Sequence, residues 1–367
     1  MPYRTYVIAE AGVNHNGSFE MAMELIDAAA AAGADAVKFQ TFKADRLVTK
    51  EAHKAAYQKQ ATGIAESQYE LLSKLELTNE MHLALMAHCR ERAVEFLSTP
   101  FDPISLHYLV DELGLRRIKL SSCEVTNGPF LLEAIRRSDH LILSTGMCSL
   151  GEVEEAIRVL GWGIEHACSS PGSRLELNCY WPSKQVMEVL RQRVTLLQCT
   201  TEYPAAYADT NLRAMGTMRA LWGIPVGLSD HTPGIAIPLA AIALGAEVIE
   251  KHITLDRGLP GPDQAASLEP AELQSMIVGI RAVEDALGDG IKRPSTAEFA
   301  NRTVVRKSLH AAREIFRGEV LSTTNVAIKR PDSGLSPMAY WDVLGSVAPG
   351  NYQDDEPISS RWNTGAH

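Results

Sequence analysis

Two histidines, His231 in PVGLSDHTP and His252 in EVIEKHITL, each end a short apolar run, and Glu10 ends a third, YVIAE. Two imidazoles and a carboxylate are the donors of an open divalent-metal site, and manganese, iron or zinc all suit such a set. The main rival is general acid–base chemistry by the same histidines. A lone histidine after a strand is most often a satisfied loop-edge residue; two at matching places favour the metal. Lysines form a second group. Lys38 in DAVKFQT and Lys119 in RIKLS sit inside apolar runs, where an ammonium group is costly to bury unless a negative charge meets it. That charge is either a carboxylate of the protein, Glu10 or Glu124, or an anionic ligand. Hydroxyls crowd the same run ends: Thr99, Ser122, Ser144 and Ser229. They favour the ligand, because hydroxyls and free helix N-termini hold phosphate. The combination reads as a pocket for a phosphate and a carboxylate.

These residues share a position, the C-terminal end of a strand-like run. The runs are 6–10, 36–40, 94–98, 117–121, 140–145, 194–200, 225–229 and 247–252, alternating with amphipathic helical stretches. Ser18 is placed to cap the first helix and Gly33 to end it. Eight strand–helix units in residues 1–288 predict an α/β fold, a closed (β/α)8 TIM barrel whose site forms where the strand ends meet. A doubly wound open sheet is the alternative, but no G-x-G-x-x-G follows the first run. Period two puts Lys38 with Gln40 on one strand face, Ser229 with His231, and Glu250 with His252. Asp263 in LPGPDQ is held at the rim by two prolines; His15 is a weaker pocket candidate. The other histidines read as structural or exposed.

Two connections are long: 41–78, with Tyr57 and Tyr69, and 161–193, which exceeds an ordinary helix-to-strand link and reads as a surface elaboration on the N-terminal side. Residues 289–303 read as a linker. Residues 304–360 form a small C-terminal module, marginal alone and expected to lean on its own barrel or a neighbour's.

The 367 residues carry a formal net charge of −10 with no basic stripe, which argues against a nucleic-acid partner. No apolar run is long enough to span a membrane, and the start lacks the apolar segment of a signal peptide. Six scattered cysteines without a C-x-x-C pair suit reduced thiols, so a cytoplasmic location is expected.

The motifs AEAGVNHNG, DAVKFQT, FLSTPFD, IKLSSCEVTN, LSTGM, CTTEYP, GLSDHT, EKHITLD and PGPD, in this order, resemble the sialic acid (N-acetylneuraminate) synthase family. The end, AAREIFRGEVLSTTNVAIKRPDSG, resembles the antifreeze-like SAF domain that closes those enzymes, a β-clip-like module. The resemblance implies a nonulosonic acid synthase condensing phosphoenolpyruvate with an N-acetylated amino sugar of the N-acetylmannosamine type to a nine-carbon 2-keto-3-deoxy acid, with release of phosphate. It implies that Lys38, Thr99, Lys119, Ser122, Ser144 and Ser229 bind phosphoenolpyruvate, and that His231 and His252 hold manganese or magnesium. Glu10, Glu124, Tyr203 and Asp263 would meet the sugar or the reacting centre, and Arg330 would reach the sugar from the other subunit of a domain-swapped homodimer. Three positions depart from the family pattern: Cys123 for glycine, and Gln198 and Gln264 for histidine. The competing sugars are those of legionaminic acid synthase, a 2,4-diacetamido-6-deoxy sugar, and pseudaminic acid synthase. Outside the family stand a Schiff-base aldolase acting through Lys38 or Lys119, and a non-catalytic carbohydrate-binding protein.

Overall fold

A computed structural model describes residues 4–54 and 67–359; Tyr57 lies outside them. The chain divides into two compact units, Met1–Gly288 and Asp289–His367. In the first, eight strands alternate with helices: β1 Tyr6–Gly12, β2 Ala36–Thr41, β3 Glu95–Pro100, β4 Arg117–Leu120, β5 His140–Ser144, β6 Val194–Cys199, β7 Val226–Asp230 and β8 Val248–His252. They form one parallel sheet in the order β3-β2-β1-β8-β7-β6-β5-β4, and its two end strands also touch. This is the barrel the run spacing predicts, with strand ends shifted by one or two residues.

Alternation sorts the side chains. Val7, Ala9, Val37, Phe39, Leu141, Leu143 and Ile249 point outward into a core shared with the helices. Ile8, Ala36, Leu97, Ile142, Leu197 and Val248 point inward and fill the barrel floor. Gly227 belongs to that floor because a Cβ there would lie 2.3 Å from the Val248 carbonyl oxygen. The next inward positions along the same strands carry the polar residues of the site.

The first helix, Phe19–Ala32, begins where the Ser18 side chain accepts the Met21 N–H and ends on Gly33 at φ 88°. Segment 161–193 is more regular than its composition suggests. The helix Leu150–Glu165 runs on through 161–165, a short helix follows at Arg174–Cys179, and the helix Lys184–Arg193 buries Val186, Met187 and Leu190. Arg193 donates to the carbonyls of Ile135, Ser138 and Asp139, which lie just before β5, so the segment ends at the N-terminal rim of the barrel. Serine N-caps and apolar i, i+1, i+4 spacing make it helical despite its glycine, proline and serine content.

Residues 289–303, read as a linker, hold most of a helix. A helix spans Thr296–Val305, opened by a capping box of Ser295 and Glu298, and buries none of its residues. Beyond it, β9 (Ser308–Ala311) pairs antiparallel with β10 (Val326–Lys329). Leu309, Ile315, Leu321, Val326, Val343, Tyr352 and Ile358 give the second unit a small core of its own. No helix among the described residues is long and apolar enough to cross a membrane.

Candidate active site

One pleat above the apolar floor, the inward residues are Glu10, Lys38, Thr99, Lys119, Ser144, Cys199, Ser229 and Glu250, all buried. They line a small cavity together with Gln40, Phe101, Ser121, Ser122, Tyr203, His231 and His252. Lys38 Nζ lies 2.6 Å from Glu10 Oε2 and 3.7 Å from Glu250 Oε2, and donates to Thr99 Oγ1 at 2.9 Å. Lys119 Nζ lies 3.3 Å from Glu250 Oε1, which also accepts from Ser229 Oγ at 2.8 Å. Both lysines therefore meet carboxylates of the protein, with Glu250 shared between them. Glu124, the other expected partner, instead accepts from Asn127 Nδ2 at 2.7 Å. It sits in the turn Ser122–Glu124 after β4 and does not line the cavity.

Burial and charge set the proton affinities. Burial pushes Glu10 up to about 7 against the pull of Lys38, with the Glu250 charge adding to the rise. Glu250 is equally buried, but Lys119 and Lys38 together bring it down to about 2. Burial works against charging Lys38, yet Glu10 and Glu250 hold its ammonium form above the ordinary range. A lysine kept protonated in this way is a poor amine nucleophile, which removes the footing of a Schiff-base role for Lys38.

Above this layer stand the two histidines, with ring centroids 5.3 Å apart. The Tyr203 ring packs 4.1 Å from His231 and 5.7 Å from His252. His231 Nδ1 donates to the Thr200 carbonyl at 2.7 Å; burial works against charging this ring, yet Cys199 and the Thr200 carbonyl hold it above the ordinary histidine value. Burial, with His231 beside it, holds His252 well below the usual histidine range and therefore neutral. Its Nδ1 is buried without a hydrogen-bond partner.

Two buried imidazoles side by side, His252 already neutral and His231 able to release its Nε2 proton to a cation, fit a divalent metal. The third ligand expected from the sequence does not join them. Glu10 is engaged by Lys38, and among the described residues no three His, Cys, Asp or Glu side chains gather at metal-binding spacing. An ion held here would complete its shell with water or substrate.

Ser144 Oγ and Thr201 Oγ1 are also buried without partners. Such groups cost about 1–3 kcal/mol each when left unmet, and mark where ligand atoms belong. Gly146 keeps this corner open. A Cβ there would fall 2.4 Å from Thr201 Oγ1 and 3.0 Å from Ser122 Oγ, while its N–H donates to Ser122 Oγ.

A second cavity of about 340 Å³ shares Gln40, Phe101, Ser121, Ser122, Tyr203 and His252 with the first. That is within the range of small-molecule sites, roughly 300–1,000 Å³. Val13, Leu47, Val48, Leu71, Leu72 and Leu75 make one side apolar. Asp263 lines this cavity, and burial raises its carboxyl to about 6.

The three departures from the family pattern fall differently. Cys123 lines the outer cavity. Gln198 points away from the barrel interior and donates to the Thr210 carbonyl. Gln264 is buried between Thr254 and the Asn14 carbonyl. His15 is buried and accepts the Gly17 N–H, as a turn residue does. Arg330 is exposed just beyond β10 in the second unit.

Sequence reasoning left Glu250 without a role and missed Cys199 and Phe101. Period two from Leu197 points to Cys199. Reading β6 on to Thr200 hid it, since Thr200 serves through its carbonyl instead.

The model of the NeuB family matches residues 25–292, and that of the SAF domain residues 306–360. The chain is 46% identical to the N,N'-diacetyllegionaminic acid synthase of Campylobacter jejuni, over 97% of this chain and 99% of that one. Against the enzyme of the same name from Legionella pneumophila it is 42% identical, over 93% and 89%. The solved N-acetylneuraminic acid (sialic acid) synthetase of Leptospira borgpetersenii superposes with a TM-score of 0.65 at 31% identity, covering 81% of this chain and 90% of that one. With the family model matched over most of its length and a barrel that gathers the residues its motifs carry, the chain belongs to the NeuB family.

Proposed function

We propose that the protein is a nonulosonic acid synthase that joins phosphoenolpyruvate to a 2,4-diacetamido-2,4,6-trideoxy sugar, the legionaminic acid type. The observation that carries this reading is the stacked site: two buried ammonium groups with the unpartnered Ser144 hydroxyl below, two buried histidines above. The charged layer suits a small dianion. Lys38 and Lys119 would meet the carboxylate and phosphate of phosphoenolpyruvate, with Thr99, Ser122, Ser144 and Ser229 supplying hydroxyl groups. A non-catalytic sugar-binding protein has no use for such a layer.

His231 and His252 would hold manganese or magnesium, which when bound supplies Lewis-acid polarisation of the sugar's aldehyde. Carbon three of phosphoenolpyruvate attacks the aldehyde carbon, forming the C–C bond, and the aldehyde oxygen gains a proton. Water adds at carbon two, and the C–O bond to phosphate breaks. The lysines fix phosphoenolpyruvate in line with the aldehyde and meet the charge on the departing phosphate. Glu10, raised to about 7, is the group of the layer able to take the proton from water near neutrality. Tyr203 and Asp263 border the space left for the sugar.

Two features favour the diacetamido sugar over the N-acetylmannosamine first read from the sequence. The relatives of higher identity carry the legionaminic acid synthase name. The apolar side of the outer cavity also suits acetamido methyls and a deoxy carbon better than a hydroxymethyl group. Arg330 would complete the sugar site from the partner of a swapped dimer. Mixed heterodimers of Lys119→Ala and Arg330→Ala chains should then regain activity, and proven heterodimers without activity would remove Arg330 from the site. The substrate reading is tested by phosphate release from phosphoenolpyruvate with a panel of N-acetylated sugars. The diacetamido-trideoxy sugar should lead in kcat/KM by tenfold or more, on the order of one well-matched methyl pocket. A lead for N-acetylmannosamine would return the protein to sialic acid synthesis.

A further inference from the structure

Behind the two histidines, on the outer face of β7 and β8, lies a polar cluster that the reaction does not use. Asp230 and Lys251 are register partners across the parallel pair, 2% and 0% exposed, with Nζ 2.5 Å from Oδ2. Lys251 Nζ also donates to the Thr232 carbonyl. Thr232, equally buried, donates its N–H to Asp230 Oδ1 at 3.0 Å and its hydroxyl to Oδ2 at 3.1 Å. The residues on both sides of His231 are thus tied to the residue immediately before His252. One step further along each strand the side chains turn inward, and the two imidazoles face each other.

A buried ammonium–carboxylate pair is a poor way to gain stability, since apolar residues of similar volume often serve as well or better. What such a pair offers is one geometry, and here that geometry is the spacing of two candidate metal ligands. Each ring has a separate constraint: the Thr200 carbonyl turns His231, and Tyr203 packs against both. None of these fixes one backbone against the other.

We propose that Asp230, Thr232 and Lys251 form a clamp that sets the separation and aim of His231 and His252, making them positioning residues for the divalent ion. The inference rests on the metal reading above. Supporting groups behind metal ligands typically govern 10–100-fold in metal affinity.

The test is calorimetric titration of metal-free, full-length protein with Mn2+. An Asp230→Asn/Lys251→Met double variant removes both charges together and leaves an amide oxygen for Thr232. The control is Asp35→Asn/Arg281→Met, which removes a partly buried pair (3.1 Å) at the start of β2, on the opposite rim. The clamp variant should bind Mn2+ 10–100-fold more weakly while its affinity for phosphoenolpyruvate, measured without metal, stays within about twofold. The control should keep the wild-type metal affinity. Unchanged Mn2+ affinity in a folded clamp variant, or an equal loss in the control, overturns the proposal. If the double variant does not fold, Thr232→Val is read in the same way. Wild-type protein that binds no Mn2+ would instead overturn the metal reading itself.

Discussion

Two layers of side chains inside the barrel, one pleat apart on the same strands, have opposite chemistry. Ile8, Ala36, Leu97, Ile142, Leu197 and Val248 close the floor as a dry apolar plug. Two residues further along each of those strands stand Glu10, Lys38, Thr99, Ser144, Cys199 and Glu250. Backbone, pleat and depth of burial hardly change between the layers; only the residue types do. The lower layer holds the ring of strands together. The upper one carries charges that would be expensive in an inert core and that become useful when an anion and a metal share the space. The outward faces repeat the contrast locally, since Lys251 and Asp230 are buried against each other and Thr232 among apolar neighbours.

The comparison can be broken at several points, the largest effect on catalysis coming from the histidines. His252→Ala, or thorough chelation of wild-type protein, should lower phosphate release at least about a thousandfold, because metal polarisation is worth several kcal/mol and each 1.4 kcal/mol is tenfold. Manganese should restore the chelated enzyme and not the variant. Full activity without metal would leave the histidines as acid–base groups.

Next comes the anion layer. Lys119→Met should raise the apparent KM for phosphoenolpyruvate by roughly 10–100-fold, as the loss of a charged hydrogen bond worth about 1.5–3 kcal/mol requires. The KM for the sugar should stay near wild type. Equal changes in both constants would make Lys119 a structural partner of Glu250.

A smaller effect concerns pH. Glu10 is raised to about 7, so its basic form fills as pH rises through that value. In wild type kcat/KM should therefore climb from about pH 6 to about pH 8, a span of about two units centred on Glu10, because that profile reports the free enzyme. Glu10→Gln should flatten the limb and slow the reaction. A limb that survives in the variant belongs to another group.

Smallest of all should be the catalytic effect of cutting the floor. Leu97→Ala should cost about 2–5 kcal/mol of stability, seen as a lower Tm, with kcat nearly unchanged while the protein stays folded. A large fall in kcat at full folding would show that the floor also shapes the site.

Much of this contrast was legible beforehand. Eight apolar runs alternating with amphipathic helical stretches point to the barrel, and period two groups Glu250 with His252 and Ser229 with His231. What sequence could not supply was partnership across strands. Which carboxylate meets Lys38 depends on register: Glu10 lies opposite Lys38 in the β1–β2 pairing, while Glu124 is turned away in a loop toward Asn127. Glu10 as a metal ligand failed for the same reason, since the lysine beside it claims the carboxylate first. Segment 161–193 ends at the N-terminal rim as its place in the chain implies, but its last helix packs Val186, Met187 and Leu190 into the core and is more than a surface elaboration.

The central claim is that the upper layer and the two histidines act on phosphoenolpyruvate and an amino-sugar aldehyde together. Mass spectrometry of the products, with phosphate measured in the same reaction, tests it most directly. With manganese present, each phosphate released from phosphoenolpyruvate and the 2,4-diacetamido-2,4,6-trideoxy sugar should be matched by one nine-carbon 2-keto-3-deoxy acid, and neither should form after chelation. Phosphate accompanied by free pyruvate, or no phosphate with any sugar of the panel, would contradict the account.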